Sequence, residues 1–316
     1  MYFVFLSIVV FLLTLYLLKL ITNKIPHLFI DVPDFRSSHV IPKPTSGGLA
    51  FIFSTLLCIY LYSFFSNQPF FTPFSIGFLI SLPLAIIGFL DDLFEVPQFY
   101  RFLLQLITSL IIVLNSNLSI PDYVILPLLI LFIGFINLIN FMDGIDGLIG
   151  GSFIIIFLTL FFYLNYEKTL LFLVFSLIAF IFINWYPSKI FMGDIGSTFL
   201  AAITLNILFF NGDFPETLFS MTVLTPLIAD SATCLARRIY FGLNPFKPHK
   251  MHLYQRLTQA GMSHSKVSFI YILSSVFISI SLFIFGFWVS LLVSILCVCF
   301  GFYLDQNIAI SFNKSL

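Results

Sequence analysis

Apolar residues in this chain fall in long unbroken runs, not in the spaced patterns of half-buried helices or strands. Eleven runs stand out, at 2–21, 47–65, 72–90, 100–116, 122–139, 148–165, 169–186, 197–211, 216–236, 267–285 and 287–304. A helix needs about 20 mainly apolar residues to cross a bilayer core. The pattern therefore predicts an all-α, polytopic transmembrane bundle of about eleven spans. The eighth run is short and almost nothing separates the last two, so ten spans is the alternative. The first run, Met1 to Ile21, lacks a basic leader and is too long for the apolar part of a signal peptide, so it is read as a span.

Composition supports a lipid covering. Of 316 residues, 60% are hydrophobic and 9% charged, where a soluble domain carries about 25% charged residues. The longest polar segment, 237–266, is too short for a soluble domain, so residues 1–316 are expected to form one integral membrane domain. Net charge is zero and no basic arm is present, which gives no sign of nucleic-acid binding. Cys58, Cys234, Cys297 and Cys299 all lie in apolar stretches without metal-ligand spacing to histidine, and read as small buried hydrophobes.

Charge placement sets an orientation. With eleven spans, every lysine and arginine except Lys168 falls on one face. That face is expected to be cytoplasmic, with the N-terminus outside. Asp91, Asp92, Glu95, Asp143, Asp146 and Asp194 fall on the same face, which the positive-inside rule does not require.

Five motifs on that face carry chemistry. Asp91-Asp92 follows an unbroken apolar run; adjacent carboxylates repel unless a cation sits between them. Arg101 and Gln105 lie one helical turn apart and are expected on one face of the fourth span. Asn140, Asp143 and Asp146 are spaced i, i+3, i+6, which on a helix keeps three oxygen donors near one face. Oxygen donors without histidine suit magnesium or manganese better than zinc. Gly193-Asp194-Ile-Gly196-Ser197 places a carboxylate and free N–H groups at a helix start suited to phosphate, and Phe191 beside it could stack on a base. His249 and His252, with Lys247, Lys250, Arg256, Arg237 and Arg238, form a cationic and imidazole group suited to an anionic diphosphate. No third nitrogen or sulfur ligand is evident near these histidines, which argues against zinc. In the segment Arg36–Gly48, His39 and Lys43 could meet phosphate. His27 and His264 belong to no cluster. Metal, oxygen donors and basic groups together point to phosphoryl chemistry.

These residues are recognisable. Between about 31 and 258 the chain resembles the polyprenyl-phosphate N-acetylhexosamine-1-phosphate transferases, glycosyltransferase family 4. The resemblance rests on His39–Gly48, Asp91-Asp92, Asn140-Phe-Met-Asp-Gly-Ile-Asp-Gly, Phe191-Met-Gly-Asp-Ile-Gly-Ser and His249-Lys-Met-His252-Leu-Tyr-Gln-Arg. The last motif looks like the branch that initiates O-antigen or related surface glycans. Peptidoglycan-branch relatives carry three consecutive histidines there.

The resemblance implies transfer of an N-acetylhexosamine 1-phosphate from a UDP-sugar to undecaprenyl phosphate, with Mg2+ (Mn2+ as alternative) and UMP as by-product. It implies a cytoplasmic cleft in a multi-pass protein of the bacterial inner membrane, with a homodimer left open. By motif position, Asn140 and Asp194 would hold the metal. Asp91 would orient or deprotonate the lipid phosphate, supported by Asp92, with Arg101 holding that phosphate. Asp143 and Asp146 would shape the nucleotide side, with Phe191 near uracil. His249, His252, Arg256 and Arg238 would bind the diphosphate and sugar. Thr45 stands where many relatives have arginine, with Lys43 as a substitute, and Leu200-Ala201 stands where many have leucine-glycine. The rival reading is a lipid-linked sugar transporter, whose one support is Asp230 within a span.

Overall fold

The computed structural model describes residues 1–24, 30–31, 42–94, 96–210, 213–244 and 249–312. Its helices are α1 (Tyr2–Lys24), α2 (Gly47–Ser66), α3 (Pro73–Phe94), α4 (Gln98–Leu114), α5 (Asp122–Phe141), α6 (Leu148–Tyr163), α7 (Leu170–Asn184), α8 (Gly193–Phe210), α9 (Phe214–Ser220), α10 (Thr225–Tyr240), α11 (Leu253–Gln259), α12 (His264–Phe285) and α13 (Phe287–Asn307). A two-residue antiparallel ladder pairs β1 (Ile30–Asp31) with β2 (Lys43–Pro44). Among the described residues, eight helical stretches are long and apolar enough to cross a membrane. Three shorter apolar helices, α4, α6 and α7, accompany them.

Each predicted apolar run is helical, with two differences. The ninth is broken: α9 gives way to a 3-10 turn at Met221–Leu224 before α10 starts with Pro226 in its first turn. Proline lacks the N–H that would continue the ladder, so it suits a helix start better than an interior. The eighth begins earlier than expected, so Asp194 lies inside the first turn of α8 rather than before it.

Helix α8 is the hub. It packs on α2, α3, α4, α5 and α6, and 83% of its length is buried. Close approach by α3 depends on Gly88: a Cβ there would fall 2.6 Å from the backbone N of Ile195. Without a hydrophobic drive between helices in lipid, small residues and hydroxyls make such contacts. Hydroxyl pairs link helical segments at Thr55–Ser176 (3.0 Å), Thr159–Ser279 (2.6 Å) and Thr222–Ser290 (2.9 Å). One apolar core runs from Leu6 on α1 to Leu304 on α13.

Candidate active site

The end of α3, the start of α4, the end of α5 and the start of α8 converge. Asp91 lies in the last turn of α3, and Arg101 lies in the first turn of α4 and pairs with it. The same guanidinium reaches Asp194 Oδ2 at 3.0 Å. Arg101 thus bridges two carboxylates that lie 103 residues apart in the chain. Asp92 reaches the start of α8, since a Cβ on Gly193 would fall 2.8 Å from its Oδ2. Gly193 has φ +70°, a conformation that glycine adopts without strain. Asn140, in the last turn of α5, accepts a 2.5 Å hydrogen bond from Ser197 Oγ on α8. One turn further along α4, Gln105 and Asn137 exchange side-chain hydrogen bonds: Asn137 Nδ2 donates to Gln105 Oε1 (2.9 Å) and Gln105 Nε2 to Asn137 Oδ1 (3.3 Å).

The one-face helix expected over 140–146 does not form. Helix α5 stops at Phe141, and residues 142–147 make a turn that ends at Gly147 with φ +79°. The two glycines favour the turn over helical continuation. Asp143 is half-buried in this turn. Burial, and then the negative charges of Asp194, Asp92 and Asp146, push its carboxyl up to about 8. This crowding of hard oxygen donors fits a divalent cation such as magnesium.

Asp146 has a different setting. It is 2% exposed and accepts hydrogen bonds from Ser188 N (3.1 Å) and Ser188 Oγ (2.7 Å). Lys43 Nζ lies 3.8 Å away and His264 Nδ1 3.4 Å. Burial raises its carboxyl, but the His264 and Ser188 hydrogen bonds and the Lys43 charge outweigh it and leave it lowered. His264, assigned to nothing from sequence, is therefore a partner of a motif aspartate. Lys43 also sits 4.9 Å over the Phe191 ring and donates to Ser188 Oγ at 2.9 Å. Backbone bonds from Phe191 to Pro44 and from Gly47 to Phe191 hold these segments together. His39 lies outside the described residues.

The imidazole lobe is built around a buried acid. Asp230 on α10 accepts the N–H groups of Leu253 (2.7 Å) and Tyr254 (3.1 Å) and the Tyr271 hydroxyl (2.7 Å). It therefore caps α11, satisfying donors that a helix start leaves unpaired. The rings of His249 and His252 stack at 5.0 Å. Tyr254 joins this lobe to the acidic one: its hydroxyl donates to Phe141 O at 3.0 Å and its ring packs on Gly144. The Phe141 and His252 rings are 6.1 Å apart.

The three arginines of the group read as suited to a diphosphate are engaged elsewhere. Arg256 is 3% exposed and bonds Met251 O, Ile310 O and Asp305 of α13. Arg237 also pairs with Asp305, at 2.6 Å. Arg238 is buried and donates to Asn244 O. The absence of a third ligand near the histidines is also corrected, because Cys234 supplies one within 4.8 Å. A sequence separation of 15 residues across a loop had hidden it.

A family model described as glycosyl transferase family 4 matches residues 74–210, a stretch holding Asp91, Asp92, Arg101, Asn140, Asp143, Asp146 and Asp194. The chain is 31% identical over 299 residues to a Bacillus subtilis protein named as a probable undecaprenyl-phosphate N-acetylglucosaminyl 1-phosphate transferase, covering 86% of this chain and 82% of that one. A Thermotoga maritima protein named as an undecaprenyl-phosphate alpha-N-acetylglucosaminyl 1-phosphate transferase is 32% identical over 234 residues, 71% of each chain. A Haemophilus influenzae protein of the same name is 28% identical over 281 residues, 79% of this chain and 77% of that one.

Proposed function

The chain belongs to glycosyl transferase family 4, and from that premise we propose that it transfers an N-acetylhexosamine 1-phosphate from a UDP-sugar to undecaprenyl phosphate. The products are the undecaprenyl-diphosphate sugar and UMP, the first step of a surface glycan such as O-antigen. UDP-N-acetylglucosamine is the first donor to test, given the names of the relatives. The observation that carries the reading is the Arg101 bridge between Asp91 and Asp194 beside Asn140 and Asp143, at the ends of four apolar helices.

Asp194 and Asn140, with Asp143 close by, are assigned to magnesium. When bound there, the ion would neutralise diphosphate oxygens and stabilise charge on the transferring phosphoryl group. Arg101 is assigned to the lipid phosphate, exchanging carboxylate partners for phosphate oxygens. Asp91 orients that phosphate or takes its proton, and Asp92 fixes the α3–α8 junction beside it. His249 and His252 donate to the nucleotide diphosphate, and Phe191 lies near uracil. Asp146, Lys43 and His264 hold the 142–147 turn in place. Arg256 ties the α11 segment to α13 and Arg238 closes the end of α10 on Asn244, supporting roles in place of direct diphosphate contact.

We place the site on the cytoplasmic face of an eleven-span protein of the bacterial inner membrane, with the N-terminus outside. The lysine and arginine bias supports this. Asp230, which had favoured a transporter, is accounted for by its capping of α11. The test is to incubate membranes holding the protein with UDP-N-acetylglucosamine, other UDP-N-acetyl sugars, undecaprenyl phosphate and magnesium. UMP and a lipid-linked sugar should form only with all components present. No product from any donor would end the transferase reading.

A further inference from the structure

Cys234 on α10 and His249 and His252 ahead of α11 meet on the imidazole side of the site. One ligand atom from each lies within 4.8 Å of the other two. Asp230, one turn before Cys234, brings them together by holding the N–H groups of Leu253 and Tyr254. Cys234 is 3% exposed and His252 4%, whereas His249 is half-buried and leaves one side open. His252 Nδ1 is buried without a hydrogen-bond partner. Its nearest acid is Asp230 Oδ1, at 3.8 Å.

One thiolate and two imidazoles are donors for a borderline-soft cation, not for magnesium. A carboxylate behind one imidazole is the outer-shell partner that orients such ligands. We propose that Cys234, His249 and His252 form a zinc-class cation site of three protein ligands and one open position. An ion held there withholds both histidines from the nucleotide diphosphate and so inhibits transfer. The inhibitory half rests on assigning the histidines to the donor substrate; the binding half does not.

The chemistry balances without a co-reactant. The Cys234 thiol releases one proton to solvent as its sulfur binds the cation, and the imidazoles bind neutral. With the cation on Nε2 of His252, Nδ1 carries the proton and turns it toward Asp230. Metal–ligand lengths of about 2.0–2.3 Å in a tetrahedron bring ligand atoms to roughly 3.5 Å apart. His249, the half-buried member, has the most room to move toward the other two. Arg238, one turn beyond Cys234, opposes the cation, and the Asp230 carboxylate offsets it.

The test uses the full-length protein in detergent with magnesium present, titrated with cobalt and then zinc. Wild type should take up one equivalent of cobalt with a thiolate-to-cobalt charge-transfer band and release of one proton. Zinc should displace the cobalt and inhibit transfer, and excess UDP-sugar should relieve the inhibition. Cys234→Ser should keep its zinc-free activity, lack the band and need about tenfold more zinc or above for half-inhibition. Absence of the band in wild type, or an unchanged zinc response in Cys234→Ser, overturns the site. Stoichiometric binding without inhibition overturns the withholding of the histidines. A protein that shows the band but makes no lipid-linked sugar with any donor supports the site and instead refutes the transferase reading.

Discussion

Asp143 sits where the acidic residues crowd most closely, and its protonation follows from that. Without a divalent cation its carboxyl is pushed up to about 8, first by burial and then by neighbouring charges. In the unfolded chain it titrates near 3.9. Between these values the folded protein holds a proton that the unfolded chain has released, so stability falls as pH rises from about 4 to 8. A divalent cation takes over the proton's role in neutralising the cluster. Magnesium should therefore raise the thermal midpoint more at pH 8 than at pH 6, and Asp143→Asn should remove most of the difference; equal stabilisation at both pH values would refute the assignment. Asp194→Asn should lower turnover about 10²–10³-fold, the usual cost of losing one preorganised charge-stabilising group, as read by UMP release. The motif aspartates were legible in the sequence because each closes or opens an apolar run. Their partners were not. His264 meets Asp146 across 118 residues and Arg256 meets Asp305 across 49, and no local pattern links such distant positions.

Helix ends decide how these side chains meet. The i, i+3, i+6 spacing over Asn140–Asp146 reads as a helix face, yet Gly144 and Gly147 make a turn, and backbone permissiveness overrides side-chain periodicity. The ninth apolar run reads as one regular helix because hydropathy ignores Pro226; the stretch Phe214–Tyr240 stays long enough to span but passes through a 3-10 turn just ahead of that proline. At Gly88 the meeting of α3 and α8 has no room for a methyl group. Gly88→Ala should cost about 1–3 kcal/mol as overpacking and lower activity by displacing Asp194 from Arg101. A thermal midpoint and activity equal to wild type would show that the contact is not tight. Asp230→Asn leaves an amide with one acceptor oxygen where two backbone N–H groups and the Tyr271 hydroxyl now bond. An unpaired buried donor costs about 1–3 kcal/mol. Because the loss falls on the start of α11, KM for the UDP-sugar should rise more than kcat falls.

For the molecule as a whole, the apolar runs fixed the helices because lipid demands length and composition and little else. The packing order around α8 had no such signal, since it rests on small residues scattered across several spans. The proposed topology can be checked in a cysteine-free background. Lys168→Cys should react with an impermeant maleimide in intact cells, and Lys189→Cys only after permeabilisation; the reverse result would invert the bundle.

The Arg101 bridge has a consequence for how the site fills. Before any substrate arrives, the carboxylates of Asp91 and Asp194 already own a tethered counter-ion. In the proposed reaction, filling the site would be a swap of partners at the water boundary: a lipid phosphate would draw the guanidinium away, and a free dication would take the vacated oxygens. Each newcomer makes room for the other. Phosphate and magnesium should therefore bind with positive cooperativity, and by reciprocity each should tighten the other by the same factor.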